Sequence, residues 1–286
     1  MKTLDSSAFR ARLERAARKR RFPLRVMLEV TYDCNFNCPH CYIPHGYRAQ
    51  YRKKEITARR FCAIIDELAA VGCLQLGVTG GEPLLKKGIF TILKHARRRG
   101  MQTYLYTNAS LITQATARKL KNCGCAKVDI TLPAMSKKAF GAVTGAPDSH
   151  RAVLGAAGIL RKEGLSLGFK TCKLKANRLE LPSLRAFAGK YGAPWRLDTE
   201  HIPRLDGTPL PAEILSGKPG LSRTPACPRC GAGDVQAAIT PAGELKICVA
   251  VDGPKWKIGP SSLKTLWRRL DSPKLKRALL KRCPAI

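Results

Sequence analysis

Three cysteines lie within eight positions of the stretch TYDCNFNCPHCY, residues 31–42. Their spacing is C-x3-C-x2-C, and they are Cys34, Cys38 and Cys41. Four thiolates close the coordination of a four-iron cluster, whereas three leave one iron with a site for a substrate or cofactor. A zinc site with His40 or His45 as fourth ligand is the alternative, but zinc usually takes paired C-x2-C units. The trio therefore favours an iron-sulfur cluster with one open position.

The cysteines need a scaffold, and strand and helix patterns alternate from residue 26 to about residue 203. The helix after the N-cap candidate Thr57 repeats apolar residues at helical spacing and ends at Gly72. Short β-branched or apolar runs predict six strands, at residues 26–31, 74–79, 102–107, 127–132, 165–171 and 194–202. We therefore predict an α/β fold, a partial (β/α)6 TIM-like barrel, with the cysteine loop at the carboxyl edge of the first strand.

Composition and local patterns divide the chain into four predicted parts. Residues 1–25 predict a basic helical segment, and residues 26–203 predict the partial barrel. Pro and Gly are frequent in residues 204–225, which predicts a linker. Residues 226–286 predict a small cysteine-rich extension, with a β-hairpin that turns at residues 241–243 and two helices, near residues 261–270 and 272–282.

The three-cysteine stretch resembles that of the radical S-adenosylmethionine (SAM) enzymes. A second stretch, GGEP at residues 80–83, follows the second predicted strand and resembles a motif of the same family. The resemblance implies that the trio holds a [4Fe–4S] cluster whose fourth iron binds the amino and carboxylate groups of SAM. It also implies that the GGEP turn holds the amino group, and that reductive cleavage of SAM gives a 5′-deoxyadenosyl radical.

Two more strand ends resemble the family's cofactor contacts. Residues 106–109 resemble its TNG stretch, with Ala109 in place of the usual glycine. Residues 129–133 resemble its ISLDG stretch, but Pro133 and Ala134 replace Asp-Gly. An aromatic residue usually precedes the last cysteine, and here His40 either contacts adenine or caps the loop. The cofactor-binding residues that the resemblance implies are His40, Tyr42, Gly80, Gly81, Glu82, Thr107, Asn108 and Thr131.

A second cysteine set lies in the C-terminal extension. Cys230 and Cys248 are spaced C-x12-G-x4-C, which resembles the opening of a SPASM or Twitch extension with auxiliary iron-sulfur clusters. Few cysteines follow, so the shorter Twitch type is favoured. Four thiolates suit one auxiliary [4Fe–4S] cluster, zinc is the alternative, and ligation by three cysteines stays open. The predicted ligands are Cys227, Cys230, Cys248 and Cys283.

Charge points to anionic partners, because 52 Lys and Arg face 20 Asp and Glu, a formal net charge of +32. An acidic peptide substrate and an acidic flavodoxin or ferredoxin electron donor both fit this balance. Nucleic acid is a weaker candidate, because only 6% of the residues are aromatic and base stacking needs aromatic platforms. The sequence shows neither a secretory signal nor a membrane-spanning apolar run, so we expect a cytoplasmic protein with no membrane partner.

Substrate residues are the least defined. Cys172 follows the fifth predicted strand at the carboxyl edge of the sheet. There its thiol either packs as a small apolar group or donates a hydrogen atom to a substrate radical. Asp198, at the end of the sixth strand, is the second catalytic candidate. Residues 173–192 and 201–211 resemble peptide-modifying radical SAM/SPASM proteins, which crosslink, epimerise or oxidise ribosomally made peptides. The alternatives are modification of RNA or of a small metabolite, and a non-enzymatic zinc-stabilised nucleic-acid-binding protein.

Overall fold

The computed structural model describes residues 6–199, 201, 204–216, 231–259, 263–270, 272 and 275. Six parallel strands pair in chain order and confirm the predicted α/β fold. The sheet does not close into a barrel, as expected of a partial one. The last strand ends four residues earlier than predicted. The strands are β1 Arg25–Thr31, β2 Gln75–Gly80, β3 Gln102–Thr107, β4 Lys127–Thr131, β5 Leu167–Cys172 and β6 Trp195–Asp198.

Helices follow most strands. The Thr57 side chain accepts a hydrogen bond from the Arg60 N–H, which confirms the predicted N-cap. A helix also covers most of the predicted basic segment at the start of the chain. The predicted helix near residues 272–282 lies almost wholly outside the described residues. The helices are α1 Ser6–Arg20, α2 His45–Arg52, α3 Ala58–Ala70, α4 Ile89–Arg98, α5 Gln114–Asn122, α6 Lys137–Thr144, α7 His150–Lys162, α8 Leu181–Lys190 and α9 Leu263–Leu270.

The two faces of the sheet differ in chemistry. Side chains alternate along a strand, so Val26, Leu28 and Val30 of β1 share one face and are fully buried in the main apolar core with residues of the helices. The opposite, inner face carries polar and charged side chains, such as Glu29 on β1 and Lys170 on β5. The helices therefore cover the apolar face, and the inner face is left for polar chemistry.

The C-terminal hairpin continues the main sheet. β7 Gln236–Ile239 and β8 Glu244–Lys246 pair antiparallel, which confirms the predicted hairpin, and β9 Trp256–Lys257 follows β8. β7 also pairs parallel with β1, a contact that the sequence did not predict. The sheet thus has nine described strands in the order β6-β5-β4-β3-β2-β1-β7-β8-β9. The domain boundary near residue 226 stays a prediction.

The described part of the predicted linker, residues 204–216, runs past two loops at the carboxyl edge of the sheet. The Arg204 side chain donates to the Pro39 carbonyl, with Nη2 and O 3.0 Å apart, and the Leu205 N–H donates to the Tyr42 carbonyl at 2.8 Å. Further along, the Ile214 carbonyl accepts from the Lys175 N–H at 3.0 Å. The linker therefore joins the cysteine loop to the loop after β5. None of the described helices is long and apolar enough to cross a bilayer.

Candidate active site

The cysteine loop follows β1 directly, as predicted, and its three thiols are half-buried. Each of Cys34 and Cys41 lies within electrostatic reach of Cys38. Within the described ranges, however, no three His, Cys, Asp or Glu side chains are grouped as a metal site requires. The fold therefore brings the three thiols of the trio together on one loop.

Nitrogen donors surround these sulfur atoms. Cys34 Sγ accepts from the Phe36 N–H at 3.4 Å and lies 3.9 Å from Asn108 Nδ2. Arg48 Nη2 lies 3.4 Å from Cys41 Sγ. Such donors stabilise sulfur that carries negative charge and orient the ligands of iron-sulfur clusters. The donor set, three thiols on one loop with N–H groups near the sulfur atoms of Cys34 and Cys41, therefore fits a [4Fe–4S] cluster.

Burial alone disfavours the thiolates that metal binding needs. It raises the pKa of the Cys34 and Cys38 thiols, and the nearby Arg48 guanidinium opposes that rise. Arg48 is itself buried, and it also donates to the Phe36 carbonyl at 3.0 Å and the Ile43 carbonyl at 3.2 Å. The sequence did not single out Arg48, since it is one of 52 basic residues without a motif.

The GGEP turn ends β2 beside the cysteine loop. The Gly81 N–H donates to the Thr31 carbonyl and the Glu82 N–H to the Asp33 carbonyl, both at 2.8 Å. A Cβ atom on Gly80 would lie 2.0 Å from the Thr31 oxygen, and one on Gly81 would lie 2.2 Å from the Asp33 oxygen. The glycines are thus required by the chain's own backbone, whereas their contact with a cofactor stays a prediction.

The Glu82 carboxylate is fully buried and already has three donors. Oε1 accepts from the Leu84 N–H at 3.0 Å and the Thr107 hydroxyl at 2.8 Å, and Oε2 accepts from the Asn108 N–H at 2.8 Å. Burial raises the pKa of Glu82 to about 7, although these hydrogen bonds oppose the rise. Glu82 therefore joins the end of β2 to the end of β3, a role that the sequence did not assign to it.

The turn after β3 continues this network. Asn108 Nδ2 donates to Asn35 Oδ1 at 2.9 Å, and Asn35 Nδ2 donates to the Ser110 hydroxyl at 2.8 Å. Ala109 is buried and has a φ of 62°, in the left-handed region that favours glycine. This conformation explains why a glycine suits the position. The ribose contacts predicted for Thr107 and Asn108 stay predictions.

The other predicted cofactor contacts lie along the same edge. Thr131 ends β4 and pairs with Lys170 of β5. His40 Nδ1 is buried and has no hydrogen-bond partner among the described residues, so it can still accept or donate. Burial lowers the pKa of His40 to about 4, with smaller contributions from His201 and Lys170. Tyr42, by contrast, donates its hydroxyl to Glu29 Oε1 at 3.1 Å.

Charged side chains line the ends of β5 and β6. Asp198 pairs with Lys170, with Oδ2 and Nζ 2.8 Å apart, and with Arg196, with Oδ1 and Nε 3.0 Å apart. Cys172 Sγ lies 3.3 Å from Nδ1 of His201, a neighbour that the sequence did not predict. Burial raises the pKa of Cys172 to about 11. The two catalytic candidates, Cys172 and Asp198, therefore lie on one side of the edge, and their roles stay predictions.

Only one member of the second cysteine set is described. Cys248 follows β8, is half-buried and accepts from the Ala250 N–H at 3.4 Å. Cys227, Cys230 and Cys283 lie outside the described residues. The auxiliary cluster therefore stays a prediction.

Residues 28–172 match the profile of the radical SAM superfamily. This range is just over half of the 286 residues, and the chain belongs to that superfamily. The match contains the cysteine trio, the GGEP turn, the turn after β3 and Cys172.

Two curated proteins are similar in sequence. PqqA peptide cyclase of Bradyrhizobium diazoefficiens is 32% identical over 162 residues, which are 57% of this chain and 42% of that protein. AdoMet-dependent heme synthase of Methanosarcina barkeri is 27% identical over 177 residues, 60% of this chain and 48% of that protein. The matched region thus spans less than half the length of either relative.

A solved structure has the same fold over most of the chain. The crystal structure of Streptococcus suis SuiB bound to the precursor peptide SuiA superposes with a TM-score of 0.71. The match covers 95% of this chain and 71% of that chain, at 17% sequence identity. At this identity the likeness establishes the fold alone.

Proposed function

We propose that the chain is a radical SAM enzyme that acts on a ribosomally made peptide. One observation carries the proposal: three motif stretches meet at one edge of the sheet and are bonded to one another. Asn108 contacts Cys34 through its side chain and Glu82 through its N–H. A [4Fe–4S] cluster with SAM would supply a 5′-deoxyadenosyl radical at this edge, and that radical would abstract a hydrogen atom from the substrate.

Different residues at this edge would hold the cluster, position SAM and face the substrate. Cys34, Cys38 and Cys41 would hold the cluster, and the donors Arg48 and Asn108 would stabilise its sulfur ligands. The remaining predicted contacts would position SAM, with His40 Nδ1 as an unused polar atom at the adenine position. The wall of β5 and β6, with Cys172 and Asp198, would face the substrate.

Three facts support a peptide substrate. PqqA peptide cyclase is among the similar proteins, and the SuiB structure contains a precursor peptide. The net charge of +32 favours an acidic peptide.

An acidic flavodoxin or ferredoxin would supply electrons on the same electrostatic grounds. An auxiliary [4Fe–4S] cluster on Cys227, Cys230, Cys248 and Cys283, in a Twitch-type extension, completes the proposal.

Anaerobic reconstitution tests the proposal. We expect about eight irons per chain if two four-iron clusters form, and cleavage of SAM on addition of dithionite. Replacing Cys34, Cys38 and Cys41 together by alanine should lower the iron content by about half and abolish cleavage. Zinc in place of iron, with no cleavage, would overturn the enzyme assignment and favour a zinc-stabilised binding protein.

A small-molecule substrate is the second candidate, because AdoMet-dependent heme synthase is similar at 27% identity. The two candidates differ in what the reconstituted enzyme changes. Deuterated forms of the peptides encoded beside the gene and of an iron porphyrin can be offered separately. The readout is transfer of deuterium from the substrate to 5′-deoxyadenosine. Transfer from peptide supports the first candidate, and transfer from the porphyrin alone supports the second. Turnover of transfer RNA would overturn both.

A further inference from the structure

A buried charged cluster lies between the two cysteine regions. Glu29 of β1 is 0% exposed, Lys246 of β8 is 1% exposed, and Glu29 Oε2 lies 2.9 Å from Lys246 Nζ. The hydroxyl of Tyr42 donates to Oε1 of Glu29 at 3.1 Å, and that of Tyr32 donates to Oε2 at 3.0 Å. The carboxylate is thus shared among a lysine and two tyrosines.

The position of this cluster in the chain is specific. Tyr42 directly follows Cys41, the last cysteine of the trio, and Lys246 precedes Cys248 by two residues. The electrostatic neighbours of the Tyr42 hydroxyl include both Cys41 and Cys248. The contacts of Tyr42 with Glu29 and of Glu29 with Lys246 therefore form a bridge between the cysteine loop and the hairpin, which we call the Glu29 bridge.

Sheet register makes the bridge possible. Lys246 pairs with Ala238 of β7, and Ala238 pairs with Met27 of β1, two residues before Glu29. Side chains two residues apart share a face, so Lys246 and Glu29 project from the same face. Ala238 of β7 lies between them in the register and has only a methyl side chain. The unpredicted pairing of β7 with β1 is what brings these charges together.

Stability alone gives little reason for such a pair. Removing two charges from water is costly, and apolar residues of similar size are often as stable or more so. The Lys246 Nζ can donate three hydrogen bonds, but the Glu29 carboxylate, 2.9 Å away, is its one ionic partner among the described residues. A costly pair with incomplete bonding is better explained by a positioning role.

We propose that the Glu29 bridge is a positioning device by which the C-terminal hairpin holds Tyr42, and with it the last cysteine of the trio, in place. Glu29, Lys246 and Tyr42 are its positioning residues, and the inference rests on the proposed function for what the trio holds. The hairpin is then part of the cofactor site and not an independent module. Its loss would disorder the cysteine loop even though the hairpin itself contributes no ligand to the trio.

The first test needs no cofactor. Lys246→Met and Tyr42→Phe are compared with the matched control Tyr51→Phe. Tyr51 lies in α2, and its hydroxyl donates to Glu244 Oε2 of the same hairpin at 3.1 Å, so the control also removes one hydroxyl bound to a carboxylate of the hairpin. In hydrogen–deuterium exchange of the metal-free full-length chain, amides of residues 34–42 should exchange about fivefold faster in the first two variants. They should be unchanged in Tyr51→Phe. Unchanged exchange of this loop in Lys246→Met or in Tyr42→Phe, or equal acceleration in Tyr51→Phe, would overturn the bridge.

The second test uses the reconstituted protein and a readout that general destabilisation does not move. The EPR signal of the dithionite-reduced cluster, recorded with and without SAM, should change its g-values in Lys246→Met and Tyr42→Phe but not in Tyr51→Phe. Identical spectra in all variants would overturn the bridge. If the wild-type signal does not respond to SAM, the proposed function fails, and the exchange experiment still decides the bridge. If Lys246→Met does not fold, the double variant Glu29→Gln/Lys246→Met decides it, because it removes the ion pair without leaving a buried charge and keeps an acceptor for the Tyr42 hydroxyl.

Discussion

The ends of β1, β2 and β3 differ from the ends of β5 and β6 in how their side chains are held. In the first region a buried carboxylate, Glu82, takes three hydrogen bonds, two of them from backbone N–H groups. In the second region Asp198 is held by two cations, of which Arg196 is 64% exposed. The first arrangement is rigid because its groups are buried and satisfied. The second can exchange its partners for a charged ligand.

This contrast fits the two tasks that the proposed function requires. A cofactor that is the same in every turnover needs donors and acceptors fixed before it binds. A variable or flexible substrate needs charged groups that are already partly solvated and cost little to rearrange. We therefore expect substitutions at the ends of β1, β2 and β3, the proposed cofactor half of the edge, to affect mainly stability. Substitutions at the ends of β5 and β6, the proposed substrate half, should affect mainly activity.

The largest stability effect is expected for Glu82→Ala. Three donors, of which the Thr107 hydroxyl is buried and two N–H groups are partly buried, lose their acceptor, so the free energy of unfolding should fall by about 3 kcal/mol. Urea unfolding of the metal-free chain measures it. A loss below about 1 kcal/mol would show that water or neighbouring groups replace the carboxylate and that the first region is not rigid.

The same residue predicts a pH dependence. Burial raises the pKa of Glu82 from 4.5 to about 7, so the folded chain binds more protons than the unfolded chain between these values. The stabilisation that comes from protonating Glu82 is therefore complete below about pH 4.5 and is lost as the pH rises through about 7. The stability of the wild type relative to Glu82→Gln should decline across this window and level off above it. An increase across the window would contradict the assignment.

A smaller stability effect is expected for Asp198→Asn in the substrate half. Asp198 and Lys170 are about one-third exposed, so the loss of their ion pair should cost less than about 1 kcal/mol. The loss of turnover of the proposed peptide substrate, expressed as a free energy, should be larger than the loss in the free energy of unfolding. The comparison of urea unfolding with product formation checks this. A stability loss as large as that of Glu82→Ala would remove the distinction between the two halves.

The smallest effect is expected for Ala109→Gly in the cofactor half. Glycine relieves a left-handed backbone, worth about 1 kcal/mol, but removes a buried methyl group worth about 0.8 kcal/mol. The two nearly cancel, so the free energy of unfolding should change by less than about 1 kcal/mol. Ala109→Val keeps the strain and adds branching, and it should be clearly less stable by thermal unfolding. Equal stability of the valine variant would contradict the strain.

Several site features were predictable because they depend on short stretches. The cysteine spacing, the GGEP turn and the alternation of strands and helices are local patterns. The alternation forms six parallel strands, and the structure places the cysteine loop and the GGEP turn at their carboxyl edge. The cap at Thr57 was predictable for the same reason, since its partner is only three residues away. Spacing along the chain is enough where both partners belong to one stretch.

Other features could not be predicted because their contacts depend on how one segment of the chain folds against another. Arg48 donates to Cys41 only because α2 folds back over the cysteine loop. His201 meets Cys172 across 29 positions, and Glu29 of β1 meets Lys246 of β8 across the intervening strand β7. A basic residue or a histidine has no periodic pattern that names such a partner. Glu29 alone left a signal, as a charged residue within an apolar strand.

The sequence by itself determined the superfamily, the parallel sheet and the loop that carries the trio, because periodicity and spacing are properties of neighbouring residues. Only the tertiary structure decided that the hairpin extends the main sheet beside β1 and places Lys246 against Glu29. Strand pairing between distant segments depends on the packing of the whole chain, and no local pattern specifies it.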